Sequence, residues 1–129
     1  MTYELTVRHF FDASHQLKDS KDLVSKGCAR LHGHTYGVII SVIGNNDKGG
    51  MVVDFKAIKD VIDELFDHRH INEVFTLLND ESQPTAENIA RMISEQIALH
   101  CKVEVKSVQL CEGYKGMERS SWVTYKEGK

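Results

Sequence analysis

The sequence has few cysteines, no block of basic residues and no long apolar run, and each shortage excludes a class of protein. Its three cysteines, Cys28, Cys101 and Cys111, are odd in number and irregularly spaced, which indicates reduced thiols rather than a disulfide framework. Sixteen lysines and arginines stand against nineteen acidic residues, a net charge of -3, so we expect no nucleic-acid partner and no anionic membrane surface. The longest apolar stretch, residues 37–44, is far too short to span a membrane.

Targeting and nucleotide-binding patterns are also missing from the sequence. Its start, from Met1 to Asp12, resembles neither a secretory signal nor an Arg-rich transit peptide, so we expect a cytoplasmic protein. There is no phosphate-binding loop, no dinucleotide-binding glycine fingerprint and no nucleophile-elbow serine. The 129 residues, 41% apolar and 27% charged, suit a single domain over residues 1–129.

Hydrophobic periodicity predicts the order strand, strand, helix, helix, strand, strand. The predicted strands cover about residues 3–11, 31–43, 103–111 and 117–125, and the predicted helices about 54–66 and 84–100. Residues 16–29 are predicted to form a loop, and residues 67–83 to be irregular. Between Val105 and Val108 the apolar parity switches, as a β-bulge would cause. The fold class is therefore α+β, with a four-stranded antiparallel sheet covered by two helices on one face.

The second predicted strand is apolar on both faces. Val38, Ile40 and Val42 share one parity and Ile39 and Ile43 the other, a pattern typical of a strand that is covered on both sides. Since two helices cover only one face of such a sheet, we expect a second subunit to cover the other. In the alternative, long loops of a monomer cover that face.

The seven histidines include three with the spacing of metal ligands. His32 and His34 lie two residues apart in a predicted strand, so both imidazoles project from the same face. His15 follows the first strand with the parity of its apolar residues. Three histidines and one open position are typical of a catalytic zinc site, although imidazole also suits iron, copper and nickel. Of the four other histidines, we interpret those at positions 9, 70 and 100 as structural.

Cys28 lies four residues before His32 and close to Lys26 and Arg30. Positive charge nearby lowers the pKa of a thiol and favours the thiolate. Three interpretations stay open: a fourth zinc ligand that closes a structural site, a catalytic base or nucleophile, or a half-buried free thiol.

Several carboxylates have a functional and a structural interpretation. Asp67 next to His68 can orient the imidazole for proton transfer if the helix has already unwound there, or can be a solvated helix end. Thr85 and Glu87 are typical of a helix N-cap and of a carboxylate placed on the helix dipole. Glu112, at the end of a core strand, is either a turn residue or an acceptor for the paired N–H donors of a flat heterocycle.

Six segments, in order, resemble the motif series of the 6-pyruvoyl-tetrahydropterin synthase family. They are residues 11–15 (FDASH), 28–34 (CARLHGH), 50–55 (GMVVDF), 67–72 (DHRHIN), 84–88 (PTAEN) and Glu112. The three-residue gap between Cys28 and His32 resembles the bacterial 6-carboxy-5,6,7,8-tetrahydropterin synthase branch, which serves queuosine biosynthesis. The animal pyruvoyl enzymes have a longer gap.

The resemblance implies the tunnelling fold, in which copies assemble into a β-barrel, commonly as a homohexamer built from two trimers with active sites between subunits. The Asp67–His68 pair is then contributed across an interface. The implied site residues are His15, His32 and His34 for zinc, Cys28, Asp67 and His68 for proton transfer, and Glu112, Thr85 and Glu87 for the pterin.

The implied reaction is a zinc-dependent carbon–carbon cleavage that converts 7,8-dihydroneopterin triphosphate to 6-carboxytetrahydropterin, acetaldehyde and triphosphate. One alternative stops after triphosphate elimination and gives 6-pyruvoyltetrahydropterin. Another is a non-catalytic zinc protein in which Cys28 joins the three histidines. Candidate triphosphate ligands are Lys26, Arg30 and Arg8.

Overall fold

The computed structural model describes residues 2–18, 30–114 and 120–127, and its elements follow the predicted order with two additions. The strands are β1 Tyr3–His15, β2 His32–Gly44, β3 Arg69–His70, β4 Glu104–Cys111 and β5 Val123–Tyr125, and the helices are α1 Phe55–Leu65, α2 Ile71–Leu77 and α3 Ala86–Cys101. The α+β class is therefore confirmed. No helix among these described residues is long and apolar enough to cross a membrane.

The two additions, β3 and α2, lie in the segment that was predicted to be irregular, and that prediction was wrong. Helix α2 buries Ile71, Val74 and Phe75, an apolar stripe at helical spacing that covers only about two turns. Strand β3 has two residues and pairs parallel with Ala13 and Ser14 of β1. The sheet therefore has five strands, in the order β3-β1-β2-β4-β5, where four antiparallel strands were predicted.

The two longest strands, β1 and β2, determine where the predicted ligands lie. They pair antiparallel along their length, from Tyr3 opposite Gly44 to His15 opposite His32. On one face, their apolar side chains pack in a core with the helices; this set includes Val7, Phe11, Tyr36, Val38 and Ile40 from the strands. Because side chains alternate along a strand, the same parity carries His15, His32 and His34 to the helix-covered face.

The predicted helix ends and the bulge are confirmed. Asp54 caps α1 by accepting a hydrogen bond from the Lys56 N–H, and Thr85 caps α3. Between β2 and β4 the register shifts, since Ser41 faces Ser107 while Val42 faces Val105. The extra residue in β4 keeps both valines, 105 and 108, on the buried side.

Candidate active site

The three predicted metal ligands meet where β1 ends and β2 begins. Their ring centroids are 4.5 Å apart for His15 and His32, 5.2 Å for His15 and His34, and 4.8 Å for His32 and His34. Glu112, just after β4, joins them, with Oε2 at 3.0 Å from His34 Nε2 and 3.4 Å from His15 Nε2. One ligand atom from each of the four residues lies within 4.8 Å of the others. The chain therefore presents three imidazoles and one carboxylate to a common point.

Backbone carbonyls fix the tautomers of two of these rings. His15 Nδ1 lies 2.8 Å from the Pro84 carbonyl oxygen, and His32 Nδ1 lies 2.7 Å from that of Arg30. Since a carbonyl only accepts, both Nδ1 atoms donate, and each neutral ring has a bare Nε2. These two Nε2 atoms face each other at 2.9 Å, where bare lone pairs repel unless a proton or cation lies between them. Imidazoles with outer carbonyl partners of this kind are typical metal ligands.

The third imidazole also fits a cation. His34 Nε2 is buried and makes no hydrogen bond among the described residues, although Glu112 Oε2 lies 3.0 Å away. Leaving a buried polar nitrogen unpaired costs about 1–3 kcal/mol, and coordination of a metal would remove that cost. The donor set of three imidazole nitrogens and a carboxylate oxygen suits zinc.

Burial and charge act against each other in this cluster. Burial disfavours the imidazolium form of His15, but the hydrogen bonds to Glu112 and to the Pro84 carbonyl, together with the charge of Glu112, outweigh it, so the pKa of His15 is raised. The pKa of His34 is lowered, chiefly by burial. The hydrogen bond from His15 lowers the pKa of Glu112 in spite of its burial. The cluster therefore contains an ionised carboxylate, Glu112, next to imidazoles whose surroundings favour one positive charge.

Asp67 and His68 form a second cluster, together with Asp12. Helix α1 ends at Leu65, and His68 has a left-handed backbone with φ of 57°, so the helix has unwound before the pair. Asp67 Oδ2 lies 2.9 Å from His68 Nδ1. Two further hydrogen bonds join the pair to β1: the Asp12 N–H donates to Asp67 Oδ1 at 3.0 Å, and the His68 N–H donates to the Asp12 carbonyl at 2.6 Å.

Within one chain this second cluster is built on Asp12 of β1. Asp12 is on the opposite parity of β1 from His15, so its side chain projects from the other face of the sheet. A cavity of about 590 Å³ borders His68, and its lining includes Asp12, Ser14, Gly33, His34, Thr35 and Arg69. No hydrogen bond or ion pair between described residues joins the Asp67–His68 pair to the three histidines.

The other predicted site residues lie near the histidines or outside the described residues. The Thr85 hydroxyl accepts a hydrogen bond from the Asn88 N–H at 3.2 Å, as its N-cap interpretation predicted, and Glu87 is exposed in the first turn of α3. The Pro84 carbonyl on His15 brings this helix start to the cluster. Cys28 and Lys26 are outside the described residues.

Sequence reasoning missed two residues of these clusters and the proximity of a third. Tyr36 is fully buried with its ring 5.5 Å from that of His34, and the parity shared with His32 and His34 was a signal for it. For Asp12, the only signal in the sequence was its position on the polar parity of β1. The approach of Glu112 to the histidines depends on how the chain turns after β4, for which the sequence carries no periodic signal.

Comparisons with known proteins agree with this geometry. Residues 4–127 match the sequence profile described as 6-pyruvoyl tetrahydropterin synthase. The chain is 36% identical over 118 residues to a "Dihydroneopterin monophosphate aldolase" of Pyrococcus furiosus, covering 88% of this chain and 92% of that protein. It is 36% identical over 114 residues to a "6-carboxy-5,6,7,8-tetrahydropterin synthase" of Rickettsia felis, covering 71% and 78%. The structure of Caenorhabditis elegans 6-pyruvoyl tetrahydropterin synthase superposes with a TM-score of 0.68 at 22% identity, covering 99% of this chain and 97% of that one, which shows a shared fold.

Proposed function

The chain belongs to the 6-pyruvoyl tetrahydropterin synthase family, a family of lyase-type enzymes, and on this premise we propose that it is a zinc-dependent 6-carboxy-5,6,7,8-tetrahydropterin synthase. The observation that carries the proposal is the convergence of three imidazoles and a carboxylate in a chain with relatives of that name. The proposed reaction takes 7,8-dihydroneopterin triphosphate and water to 6-carboxytetrahydropterin, acetaldehyde and triphosphate.

In this proposal His15, His32 and His34 hold the zinc ion through their Nε2 atoms. When bound, zinc supplies a Lewis acid that polarises the oxygen atoms of the substrate side chain and makes the adjacent C–H protons more acidic. The carbonyls of Pro84 and Arg30, which bind the Nδ1 atoms, keep two of the rings in the orientation that coordination needs.

His68 is proposed to move protons to and from the substrate side chain, with Cys28 as the second proton-transfer group. Asp67 accepts a hydrogen bond from His68 Nδ1, which orients the ring and leaves Nε2 to take up and return a proton. The hydrogen bond from the Asp12 N–H lowers the pKa of Asp67, so this carboxylate remains ionised as the partner. His68 is 79% exposed, and its ring is accessible to a substrate bound from outside the chain.

Glu112 is proposed to anchor the pterin ring. Its low pKa keeps it an acceptor for the paired N–H donors of the heterocycle, and its position beside the histidines would hold the ring next to the metal. Thr85 and Glu87 are proposed as supporting contacts, because the start of α3 lies next to His15 through Pro84.

We infer that the complete site forms between copies of the chain, in a homohexameric barrel. The Asp67–His68 pair is grouped with Asp12, which is on the opposite parity of β1 from His15, and no hydrogen bond or ion pair between described residues joins the pair to the histidines, so we take the pair that acts with a given metal site to come from a neighbouring copy. The face without helices carries Phe10, which is 52% exposed and packs against Tyr114. Such a surface favours cover by a second subunit.

A second candidate function is a dihydroneopterin phosphate aldolase. The observation that favours it is the Pyrococcus furiosus aldolase, which matches more of this chain than the carboxytetrahydropterin synthase relatives do. An aldolase would split the bond between the first two side-chain carbons, leaving a hydroxymethylpterin and a phosphorylated two-carbon aldehyde. The proton-transfer pair and a Lewis acid would serve this cleavage as well.

The deciding experiment offers the zinc-loaded protein dihydroneopterin triphosphate and monophosphate in separate reactions and identifies every product by mass. We expect 6-carboxytetrahydropterin from the triphosphate. A hydroxymethylpterin from the monophosphate would favour the aldolase, and 6-pyruvoyltetrahydropterin would favour the elimination-only alternative.

The non-catalytic alternative, in which Cys28 closes the zinc site, is tested with Cys28→Ala. If Cys28 is a zinc ligand, the substitution should lower zinc affinity. If Cys28 is a proton-transfer group, the substitution should abolish turnover and leave zinc bound.

A further inference from the structure

We propose that Asn72 is a positioning residue for the metal site, because its side-chain amide fixes the backbone directly after His15. The inference rests on the proposed role of His15 as a metal ligand. It assigns the orientation of that ligand to a residue on another element, the first turn of α2.

The amide of Asn72 acts on Gln16 as a neighbouring peptide group would. The Gln16 N–H donates to Asn72 Oδ1 at 2.9 Å, and Asn72 Nδ2 donates to the Gln16 carbonyl at 2.8 Å. Both backbone groups of Gln16 are thus bound by one side chain. An asparagine matches them because it offers one acceptor and one donor in the same plane.

This reciprocal pair extends a short ladder. Strand β3 pairs with β1 only at Ala13 and Ser14, and the chain then turns into α2 at Ile71. Asn72 reaches back from the helix and binds Gln16, the residue after β1, two residues beyond the last backbone pair at Ser14. The Asn72 side chain therefore supplies to Gln16 the hydrogen bonds that the backbone of a longer β3 would have made.

The position of His15 depends on these two hydrogen bonds between Asn72 and Gln16. On one side β1 pairs with β2 as far as His15 opposite His32, so His15 is a terminal residue of that ladder, where strands fray. Its ring is fixed at Nδ1 by Pro84, but the ring follows the backbone that carries it. Fixing Gln16 limits rotation about His15 and keeps Nε2 directed at the other imidazoles.

The test compares two Asn72 variants with a matched control. Asn72→Asp keeps an acceptor for the Gln16 N–H but sets a second oxygen against the Gln16 carbonyl, and Asn72→Ala removes both bonds. The control is Glu73→Gln, at the adjacent exposed residue of the same helix. It replaces a carboxylate with an amide, the reverse of Asn72→Asp. For each protein we would measure Zn²⁺ affinity by competition with a chromophoric chelator, the visible absorption of the Co²⁺ form, and thermal unfolding without metal.

We expect both Asn72 variants to bind Zn²⁺ at least about tenfold more weakly and to change the Co²⁺ absorption, as loss of an outer partner of a ligand does. Glu73→Gln should stay within about twofold of the wild type. A folded Asn72 variant with wild-type affinity and spectrum would overturn the inference, even if its melting temperature falls, since that is the pattern of a purely structural role. A wild-type chain that binds no metal would overturn the proposed metal site and this inference together, and that failure is visible before any variant is made.

Discussion

Glu112 has two possible partners, the histidines and a bound pterin, and a single substitution separates them. Its Oε2 lies within 3.4 Å of both His15 and His34, while hydrogen bonding keeps its pKa low. We expect Glu112→Gln to weaken pterin binding at least about tenfold, because an ionised acceptor of two N–H donors is lost. Zinc affinity should stay within about threefold, a change below 1 kcal/mol.

Calorimetric titration with a non-hydrolysable pterin, alongside chelator competition for zinc, measures both quantities. Pterin affinity within about threefold of the wild type would refute the anchoring role. Loss of zinc with pterin binding retained would make Glu112 a metal ligand instead.

Tyr36 gives a second prediction for a single residue. Its hydroxyl is buried and makes no hydrogen bond among the described residues, and burial, assisted by the charge of Glu112, raises its pKa far above the usual value. The hydroxyl therefore stays protonated and unpaired, which costs free energy. We expect Tyr36→Phe to leave the free energy of unfolding unchanged or to raise it by up to about 1 kcal/mol. Urea unfolding measures this, and a loss above about 1 kcal/mol would mean that the hydroxyl has a partner.

Among single residues, the sequence allowed prediction of those that depend on strand parity. His15, His32 and His34 converge because β1 and β2 alternate without interruption up to their shared end. The proximity of Glu112 to them was not predictable, because it depends on the turn after β4 and on the register of a strand that contains a bulge. The hydrogen bonds between Asn72 and Gln16 join residues that are distant in sequence, so they could not be predicted either.

At the scale of elements, the ion pair between Arg91 and Asp80 joins α3 to the segment that follows α2. Arg91 Nη2 lies 2.8 Å from Asp80 Oδ2, with both side chains mostly buried. Burial works to raise the pKa of Asp80, but hydrogen bonds from Ser82 and Arg91 outweigh it and lower the pKa. A carboxyl whose pKa is lower in the folded protein stabilises it above the ordinary carboxyl pKa, and this contribution is lost as the pH falls through the folded-state value.

We therefore expect Asp80→Asn to lower the free energy of unfolding by about 1–2 kcal/mol at pH 7. The difference from the wild type should shrink below about pH 4, where the wild-type carboxyl takes up its proton. Urea unfolding at pH 7 and pH 3 tests this. Glu95→Gln, which removes the exposed partner of Arg91, is the control and should cost less than about 0.5 kcal/mol. An equal deficit for Asp80→Asn at both pH values would contradict the assignment.

The predictability of an element from the sequence followed its length. Both long strands, α1 and α3 have enough residues for their periodicity to stand out, and even the bulge in β4 appeared as a switch of parity. Strand β3 has two residues and exists only through its pairing with β1, so no local pattern marks it. Helix α2 has seven residues among polar neighbours, too short a stretch for a clear stripe.

At the scale of the whole molecule, the proposed sharing of the site between copies predicts complementation. His32→Ala and His68→Ala should each be inactive, because one lacks the metal site and the other the proton-transfer group. Refolded together in equal amounts, they should recover about a quarter of wild-type activity, since random assembly pairs intact histidines with an intact Asp67–His68 pair at about that frequency. A mixture that stays inactive while assembling normally would place both groups in the same chain.

Light scattering tests the assembly itself. A homohexamer has about six times the mass of the 14.6 kDa chain, and a particle of 14.6 kDa at working concentration would refute the shared site. The apolar second face of β2 is the sequence feature that predicts self-association, but nothing in the sequence alone sets the number of copies.

The central claim is that this chain converts 7,8-dihydroneopterin triphosphate to 6-carboxytetrahydropterin and acetaldehyde in a metal-dependent reaction, and the yield of acetaldehyde tests it most directly. The measurement counts acetaldehyde released per 7,8-dihydroneopterin triphosphate consumed, first with zinc-loaded protein, then after chelation and after zinc is restored. We predict one acetaldehyde per substrate, loss of the reaction on chelation and recovery with zinc. Consumption of substrate without acetaldehyde, or release of acetaldehyde that persists after the metal is removed, would contradict the account.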